Sequence, residues 1–333
     1  MSALPDPARP LTEAAAGAAF DAVLAGFVPE QALADFLLAL ARRGETAEEI
    51  AGAARALRAR MRPVSAPAGA VDVCGTGGDG AGTLNVSTAV AFVVAGAGVP
   101  VAKHGNRAAS SRCGTADVLE ALGWPADQEP ARAEACLHEV GVAFLFAQAH
   151  HPAMARVAPV RRALGVRTIF NLLGPLANPA GVRRQLIGVA APGLGRAMAE
   201  AALRLGAEAV LIAHGDGLDE LAVHAPSRLW EAGMAGRSSE IEEALFDPAA
   251  RGLGPHPRDA VAGGSPAENA EALRALLSGR GRPAYRDIVL ANAAAALRVA
   301  GLATDWEQGL RLASESLASG AARDRLERFL AFR

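Results

Sequence analysis

Apolar residues in the first sixty positions recur at helical spacing. Ala18, Phe20, Val23 and Leu24 make one stripe, which stops at Gly26. A second stripe has Pro29 near its first turn, carries Leu33, Phe36, Leu37 and Leu40, and ends at Gly44. Thr46 with Glu49 three residues on is a capping box, and the third helix it opens runs to about Met61. Segment 62–69, Arg-Pro-Val-Ser-Ala-Pro-Ala-Gly, reads as a linker. Beyond residue 70 the period changes. Short apolar runs at 70–73, 99–103, 142–146, 185–190, 209–213 and 227–230 alternate with helical stretches. Helices of that length between strands make crossover connections. The pattern predicts a small all-helical N-terminal domain, 1–66, and a large α/β domain, 70–333. The large domain has a mainly parallel sheet flanked by helices. Residues 248–266, polar and rich in Gly and Pro, read as an excursion before final helices that include 288–299 and 306–317. No internal repeat is visible.

Composition narrows the class. The chain has 333 residues, 51% hydrophobic and 20% charged, with a net charge of −2. That is a globular protein with a large core and no broad nucleic-acid or membrane footprint, so any anion site is local. Three cysteines without metal-ligand spacing suggest reduced thiols and a cytoplasmic protein. No signal peptide heads the chain, and the most apolar stretch, 89–101, is broken by Gly96, Gly98 and Pro100. Of the 33 Lys+Arg residues one is lysine, Lys103, and the rest are arginine. An ammonium is a compact point charge where a guanidinium is a planar fork, so Lys103 either marks a place where arginine would not serve or is a chance survivor in an arginine-rich chain.

Four stretches carry chemistry. In the first, Val71-Asp72-Val73 runs into Cys74-Gly75-Thr76-Gly77-Gly78-Asp79-Gly80-Ala81-Gly82-Thr83, and Asn85-Val86-Ser87-Thr88 then opens an apolar helix. Glycines let backbone N–H groups approach an anion, and a helix N-terminus adds free donors and partial positive charge. The stretch reads as a phosphate or pyrophosphate cradle; a tight strand-to-helix turn would also use these glycines. Ala81 stands where a Walker A loop needs lysine. Gly75-x-Gly77-x-x-Gly80 fits the dinucleotide pattern, but the next strand ends in Lys103-His104 where that site needs an acid. The second stretch is Lys103 through Ser111, where Arg107, Ser110 and Ser111 could hold a second phosphate or simply cap a helix and face solvent. The third, Gly215-Asp216-Gly217-Leu218-Asp219-Glu220, puts adjacent carboxylates at a strand's end, where they suit Mg²⁺ or are simply solvated in a loop. The fourth runs from His150-His151-Pro152 through Arg161-Arg162 to residues 171–179, Asn-Leu-Leu-Gly-Pro-Leu-Ala-Asn-Pro. No third ligand supports a zinc reading of the paired histidines. Either arginine could grip a substrate carboxylate bidentately, or the pair could stand solvated on a surface helix.

Taken together, residues 75–79, 85–88, 103–111, 150–162, 171–179 and 216–220 resemble the anthranilate phosphoribosyltransferase family, in that family's order. The resemblance begins at 34–37 and 44–50 and continues to 286–290, nearly the whole chain. It implies a helical domain joined to an α/β domain of the nucleoside phosphorylase/phosphoribosyltransferase type, and a homodimer formed through the helical domain. It implies transfer of phosphoribose from 5-phosphoribosyl diphosphate (PRPP) to the amine of anthranilate, with release of pyrophosphate. By resemblance PRPP is bound by Gly75, Gly78, Asp79, Thr83, Asn85, Val86, Ser87 and Thr88. The second half of that site is Lys103, His104, Gly105, Asn106, Arg107, Ala108, Ala109, Ser110 and Ser111, with Thr115. Ser87, Asp219 and Glu220 bind Mg²⁺, two ions per subunit, and Lys103 is the catalytic charge. Anthranilate meets Gly75, Asn106 and Arg161, with His104, His151, Gly174 and Pro175 along its path. Thr115 stands where serine or alanine is more usual, and His214-Gly215 precede the acidic motif in place of commoner residues; neither change removes a ligand.

The chemistry agrees with those residues. Breaking C1–O of PRPP develops positive charge on the ribose and negative charge on pyrophosphate, where Mg²⁺ and Lys103 would act. The aryl amine is neutral and nucleophilic, and no obvious base is visible, so orientation supplies much of the rest. Two rivals share the fold: a pyrimidine nucleoside phosphorylase, and a non-catalytic paralogue that binds nucleic acid. The glycine loop with tandem Asp219-Glu220 argues against the first. The near-neutral charge and intact acidic motif argue against the second.

Overall fold

A computed structural model describes residues 4–108, 112–126, 128–234 and 240–332. The N-terminal stripes form α1 (Glu13–Ala25), α2 (Glu30–Arg43) and α3 (Ala47–Arg58). The capping box at Thr46 is closed in both directions. Its Glu49 is wholly buried. Besides the Thr46 N–H, it accepts from the Leu11 N–H (2.8 Å) and Arg43 Nη2 (2.6 Å). One carboxylate thus caps α3, fixes the approach to α1 and neutralises the end of α2. Removing one partner of a buried pair of this kind costs about 3–5 kcal/mol.

The large part is built on seven strands: β1 (Val71–Gly75), β2 (Val101–Gly105), β3 (Val142–Phe146), β4 (Arg184–Gly188), β5 (Ala209–His214), β6 (Ser227–Ala232) and β7 (Glu242–Phe246). Their order is β3-β2-β1-β4-β5-β6-β7. The first five are parallel, and β6 and β7 add an antiparallel edge. β1 to β5 are buried almost throughout because both sheet faces are covered, and the polar residues they carry, Asp72, Lys103, His104, Gln185 and His214, are buried with them. On one face lie α4 (Val86–Gly96) and the helices Pro283–Val299, Trp306–Ala318 and Ala321–Ala331. The other face carries the helices Phe170–Leu176 and Gly195–Arg204, and α3 packs on both of them. The N-terminal helices and residues 157–177 share one apolar core. Among the described residues no helix is long and apolar enough to cross a membrane.

Three sequence expectations shift. The second strand is Val101–Gly105, two residues later than 99–103, so Lys103 lies inside it. β7 was not anticipated: two of the five residues of Glu-Glu-Ala-Leu-Phe are charged because it is a solvent-facing edge, with Leu245 70% exposed. The 248–266 excursion folds back on the glycine loop. Thr83 bridges Ala262, and the Leu84 and Gly263 amides bond Val261 and Gly82.

Candidate active site

Strand order reverses at β1, whose neighbours are β2 on one side and β4 on the other. In such sheets ligands bind outside the carboxyl ends of the strands at that point. Gly75 ends β1 and lies opposite Gly188, which ends β4. Asp219 is laid across this pair. A β-carbon on Gly75 would meet Asp219 Oδ2 at 2.2 Å, and one on Gly188 would meet the Asp219 carbonyl oxygen at 1.5 Å. The two glycines are therefore the floor on which the acidic turn rests. Gly77, Gly78, Gly80 and Gly82 all take positive φ, so the loop above this floor is open only to glycine. A cavity of about 340 Å³ lies between the loop (Ala81, Thr83), the acidic turn (Leu218) and Arg258, Asp259 and Ala262.

The acidic groups are held by backbone donors. The Gly77 N–H donates to Asp219 Oδ2 (2.7 Å). The Ser87 N–H, at the first turn of α4, acts on Glu220 and lowers its carboxyl against the burial that raises it. Asp79 accepts from the Ala81 N–H (3.1 Å) and from the Asp219 N–H (3.4 Å). Burial and the neighbouring Asp79 push the Asp219 carboxyl up to about 7. Burial and Asp219 push Glu220 well above the usual carboxylate range. Crowded carboxylates of this kind suit a hard cation. Among the described residues no three Asp, Glu, His or Cys side chains converge as a closed metal cage. Two carboxylates with the Ser87 hydroxyl leave room for phosphate oxygens and water, as Mg²⁺ prefers.

Lys103 sits beneath this group, 4% exposed. Its Nζ donates to the Val73 carbonyl (2.7 Å) and Ser87 Oγ (3.0 Å). An ammonium has three donors, so one proton remains after these bonds. Its charge acts on Asp72 and Glu220, lowering both against the burial that raises them. Beside it, Thr88 Oγ1 donates to Thr115 Oγ1 (3.2 Å), placing two hydroxyls at the mouth of α4. Asn85 is held by its neighbours: Nδ2 donates to the Cys113 carbonyl and Oδ1 accepts from Asn269. Val86 is buried at the first position of α4.

The other side of the crevice is lined by imidazole and guanidinium. His104 Nδ1–H donates to the Gly174 carbonyl (2.9 Å), which leaves Nε2 a bare, buried acceptor. The His151 ring stands 5.1 Å from it, with both nitrogens buried and unpartnered. Burial drives His104 down to about 3 and His151 to about 4, so both are neutral at pH 7. An imidazole with a pKa near 3 is a poor general base. Pro175, inside helix Phe170–Leu176, is pinned through its carbonyl by Gln185 (2.6 Å). Arg161 lies over the Phe170 ring at 5.6 Å. Burial alone lowers its pKa, with no carboxylate acting on it. Asn106, exposed at the end of β2, accepts from the Arg107 N–H (2.8 Å).

Not every expected residue converges. Arg107 turns away and pairs bidentately with Glu120 (2.5 and 2.6 Å), with Asp117 beside it. Asp117 also accepts from the Ala108 and Gly114 N–H groups, tying the loop after Gly105 to the next helix. Ala109, Ser110 and Ser111 lie outside the described residues. Two supporting residues escaped notice. Asp72, wholly buried, accepts from the His104 N–H (3.1 Å), and Asn178 donates to the Ala102 carbonyl (2.8 Å). A carboxylate between two valines of a buried strand was the available signal for Asp72. Asn178 stands within the 171–179 stretch, but its own role was not readable there, since its partner is backbone 76 residues away.

A helical bundle docked on an α/β sheet, with a glycine cradle facing an acidic pair, defines a glycosyl-group transferase. Two family profiles match: the helical bundle domain of a glycosyl transferase family over residues 6–61, and its a/b domain over 68–323. The chain is 56% identical over 323 residues to an anthranilate phosphoribosyltransferase of Novosphingobium aromaticivorans, covering 97% of this chain and 96% of that protein. To one from Rubrobacter xylanophilus it is 52% identical, covering 97% and 93%. The Thermus thermophilus enzyme's crystal structure superposes with a TM-score of 0.92 at 45% identity, covering 98% and 96%. The Saccharomyces cerevisiae enzyme in complex with PRPP and Mg superposes at 0.86 and 29% identity, covering 96% and 93%. The chain belongs to the anthranilate phosphoribosyltransferase family.

Proposed function

We propose that this chain transfers the phosphoribosyl group of PRPP to the amine of anthranilate, giving N-(5-phosphoribosyl)anthranilate and pyrophosphate in tryptophan biosynthesis. The observation that carries this reading is Asp219 seated on Gly75 and Gly188, facing the glycine loop across the strand ends. Backbone N–H groups of residues 77–82 and the first turn of α4 receive the diphosphate. Asp219, Glu220 and Ser87 hold Mg²⁺, two ions per subunit. When bound, Mg²⁺ supplies positive charge where the leaving pyrophosphate gains negative charge. Lys103 fixes the Ser87 hydroxyl by its hydrogen bond and works mainly through its field, in place of the direct phosphate contact expected from the sequence. Thr88 and Thr115 offer hydroxyls to the phosphoribosyl group.

Arg161, desolvated and facing no carboxylate of its own, grips the anthranilate carboxylate and turns the amine toward C1. His104, His151, Gly174 and Pro175 wall its path. The neutral amine needs no strong base, which accords with imidazoles held near 3 and 4. The helical part, residues 1–66, carries the homodimer contact and closes over the α/β part, 70–333. Three buried, unpaired cysteines support a cytoplasmic setting.

The test is direct: mix the protein with PRPP, Mg²⁺ and anthranilate, and follow anthranilate fluorescence. The expected result is a steady, Mg²⁺-dependent loss of signal. Unchanged fluorescence, together with thymidine cleavage in phosphate, would overturn the reading in favour of a phosphorylase.

A further inference from the structure

His214 ends β5 and is the last residue before the acidic turn. The mechanism above gives it no task, yet it is 8% exposed and both ring nitrogens are bonded. Nδ1–H donates to the carbonyl of Val189 (2.9 Å), the residue after Gly188 at the end of β4. Nε2 accepts from the Gly217 N–H (3.3 Å). A ring that donates at one nitrogen and accepts at the other is neutral, with its tautomer fixed. The imidazole thus ties the strand floor to the turn that delivers Asp219 and Glu220.

The turn has its own internal shape. Asp216 takes φ +49°, the one positive φ outside glycine among the described residues, and Gly217 follows at +90°. The Gly215 and Leu218 N–H groups bond each other's carbonyls (3.0 and 3.2 Å), which closes the turn on itself. A β-carbon on Gly215 would meet the Glu220 carbonyl oxygen at 2.3 Å, so the chain passes back directly over its own start. These contacts fix the shape of the turn but not its place above the sheet. At Gly217 the carbonyl accepts from Arg258 Nη2 (3.3 Å), an exposed side chain, and the N–H is held from the buried side by His214.

We propose that His214 is a positioning residue for the metal carboxylates. By holding the Gly217 N–H, its Nε2 sets where the turn delivers Asp219 and Glu220. The proposal rests on the reading that those two carboxylates take Mg²⁺. It adds a side chain that touches neither metal nor substrate and acts through the backbone of the turn.

Three variants separate the two bonds. His214→Phe keeps a ring and loses both. In His214→Asn the side-chain amide reaches as far as Nδ1 did and keeps the Val189 bond alone. In His214→Gln the longer side chain carries its carbonyl oxygen to the place of Nε2 and keeps the bond to Gly217. Mn²⁺ binding to the full-length protein, without substrates, is read by the loss of free Mn²⁺ signal in electron paramagnetic resonance. His214→Phe and His214→Asn are expected to weaken it roughly three- to tenfold, the worth of one hydrogen bond. His214→Gln is expected to stay close to wild type. In steady-state kinetics the Mg²⁺ needed for half-maximal rate should rise by the same factors, with the anthranilate KM unchanged. Circular dichroism checks folding, and if His214→Phe does not fold, the Asn and Gln variants decide alone. A purely structural histidine would lower the melting temperature of the variants and leave their Mn²⁺ binding at the wild-type value. That result, or wild-type binding in folded His214→Asn, would overturn the proposal and leave the Mg²⁺ assignment standing. Wild-type protein that binds no Mn²⁺, or binds it only as well as Asp219→Asn, would overturn both.

Discussion

The most demanding prediction concerns Gly188→Ala. The new methyl group would lie 1.5 Å from the Asp219 carbonyl oxygen and 2.2 Å from its carbon. Both are backbone atoms, so no rotamer relieves the contact. Reaching even 3.0 Å requires the acidic turn to retreat by about 1.5 Å. The rest of the strand pairs normally, because Gly188 ends β4 and its side of the ladder is already complete. Overpacking at one position costs about 1–3 kcal/mol, which a chain of this size tolerates. Catalysis is less forgiving: a misplacement of about 1 Å can cost 100-fold. Gly188→Ala is therefore expected to fold, to lose roughly 100-fold or more in kcat/KM, and to need more Mg²⁺ for half-maximal rate. Gly193→Ala, where the methyl group meets nothing within 4 Å, is the control and should behave as wild type. Fluorescence assays across a Mg²⁺ series, with a thermal melt on each variant, provide the comparison. A Gly188→Ala enzyme within twofold of wild type in both rate and Mg²⁺ requirement would refute the steric argument.

Further outcomes follow from the same geometry. Lys103→Arg keeps the charge but places a larger fork in a site 4% exposed; turnover should fall by roughly 100-fold, and near-normal turnover would show that ammonium geometry is not what the site needs. Arg161→Ala should raise the anthranilate KM more than the PRPP KM, measured by steady-state kinetics with each substrate varied; the reverse would sink its role. His104 and His151 are held down to about 3 and about 4 from 6.5. Their neutral burial contributes stability that is present above pH 6.5 and lost as pH falls toward those values. The melting temperature should drop between pH 6.5 and pH 4, and His151→Phe should flatten that slope; an unchanged slope would refute the assignment.

Much of this was legible in the chain because its signals are local. The capping box at Thr46 and Glu49, the glycine loop after Val73 and the run to Lys103 each report a nearby turn, cap or strand end. What escaped depends on partners distant in sequence. Arg107 looked like a phosphate ligand until Glu120 and Asp117 took its donors. Gly188 gave no sign of itself, since its meaning comes from Asp219, a residue on a later turn that folds back across β4. β7 hid because this solvent-facing edge strand opens on two glutamates and carries little apolar periodicity.

The shared core of the N-terminal helices and residues 157–177 also bears on synthesis. α1, α2 and α3 leave the ribosome well before residues 157–202, yet Phe20 stacks edge-on against Phe170, and Leu37, Ile50 and Leu57 belong to the same cluster as Ile169, Leu172 and Met198. At about 5–20 residues per second, that apolar face waits roughly ten seconds or more for its partners to be made. During this interval the nascent chain displays an uncovered helical surface. These helices are thus made long before they are sealed, and until then their apolar face is one a chaperone can cover.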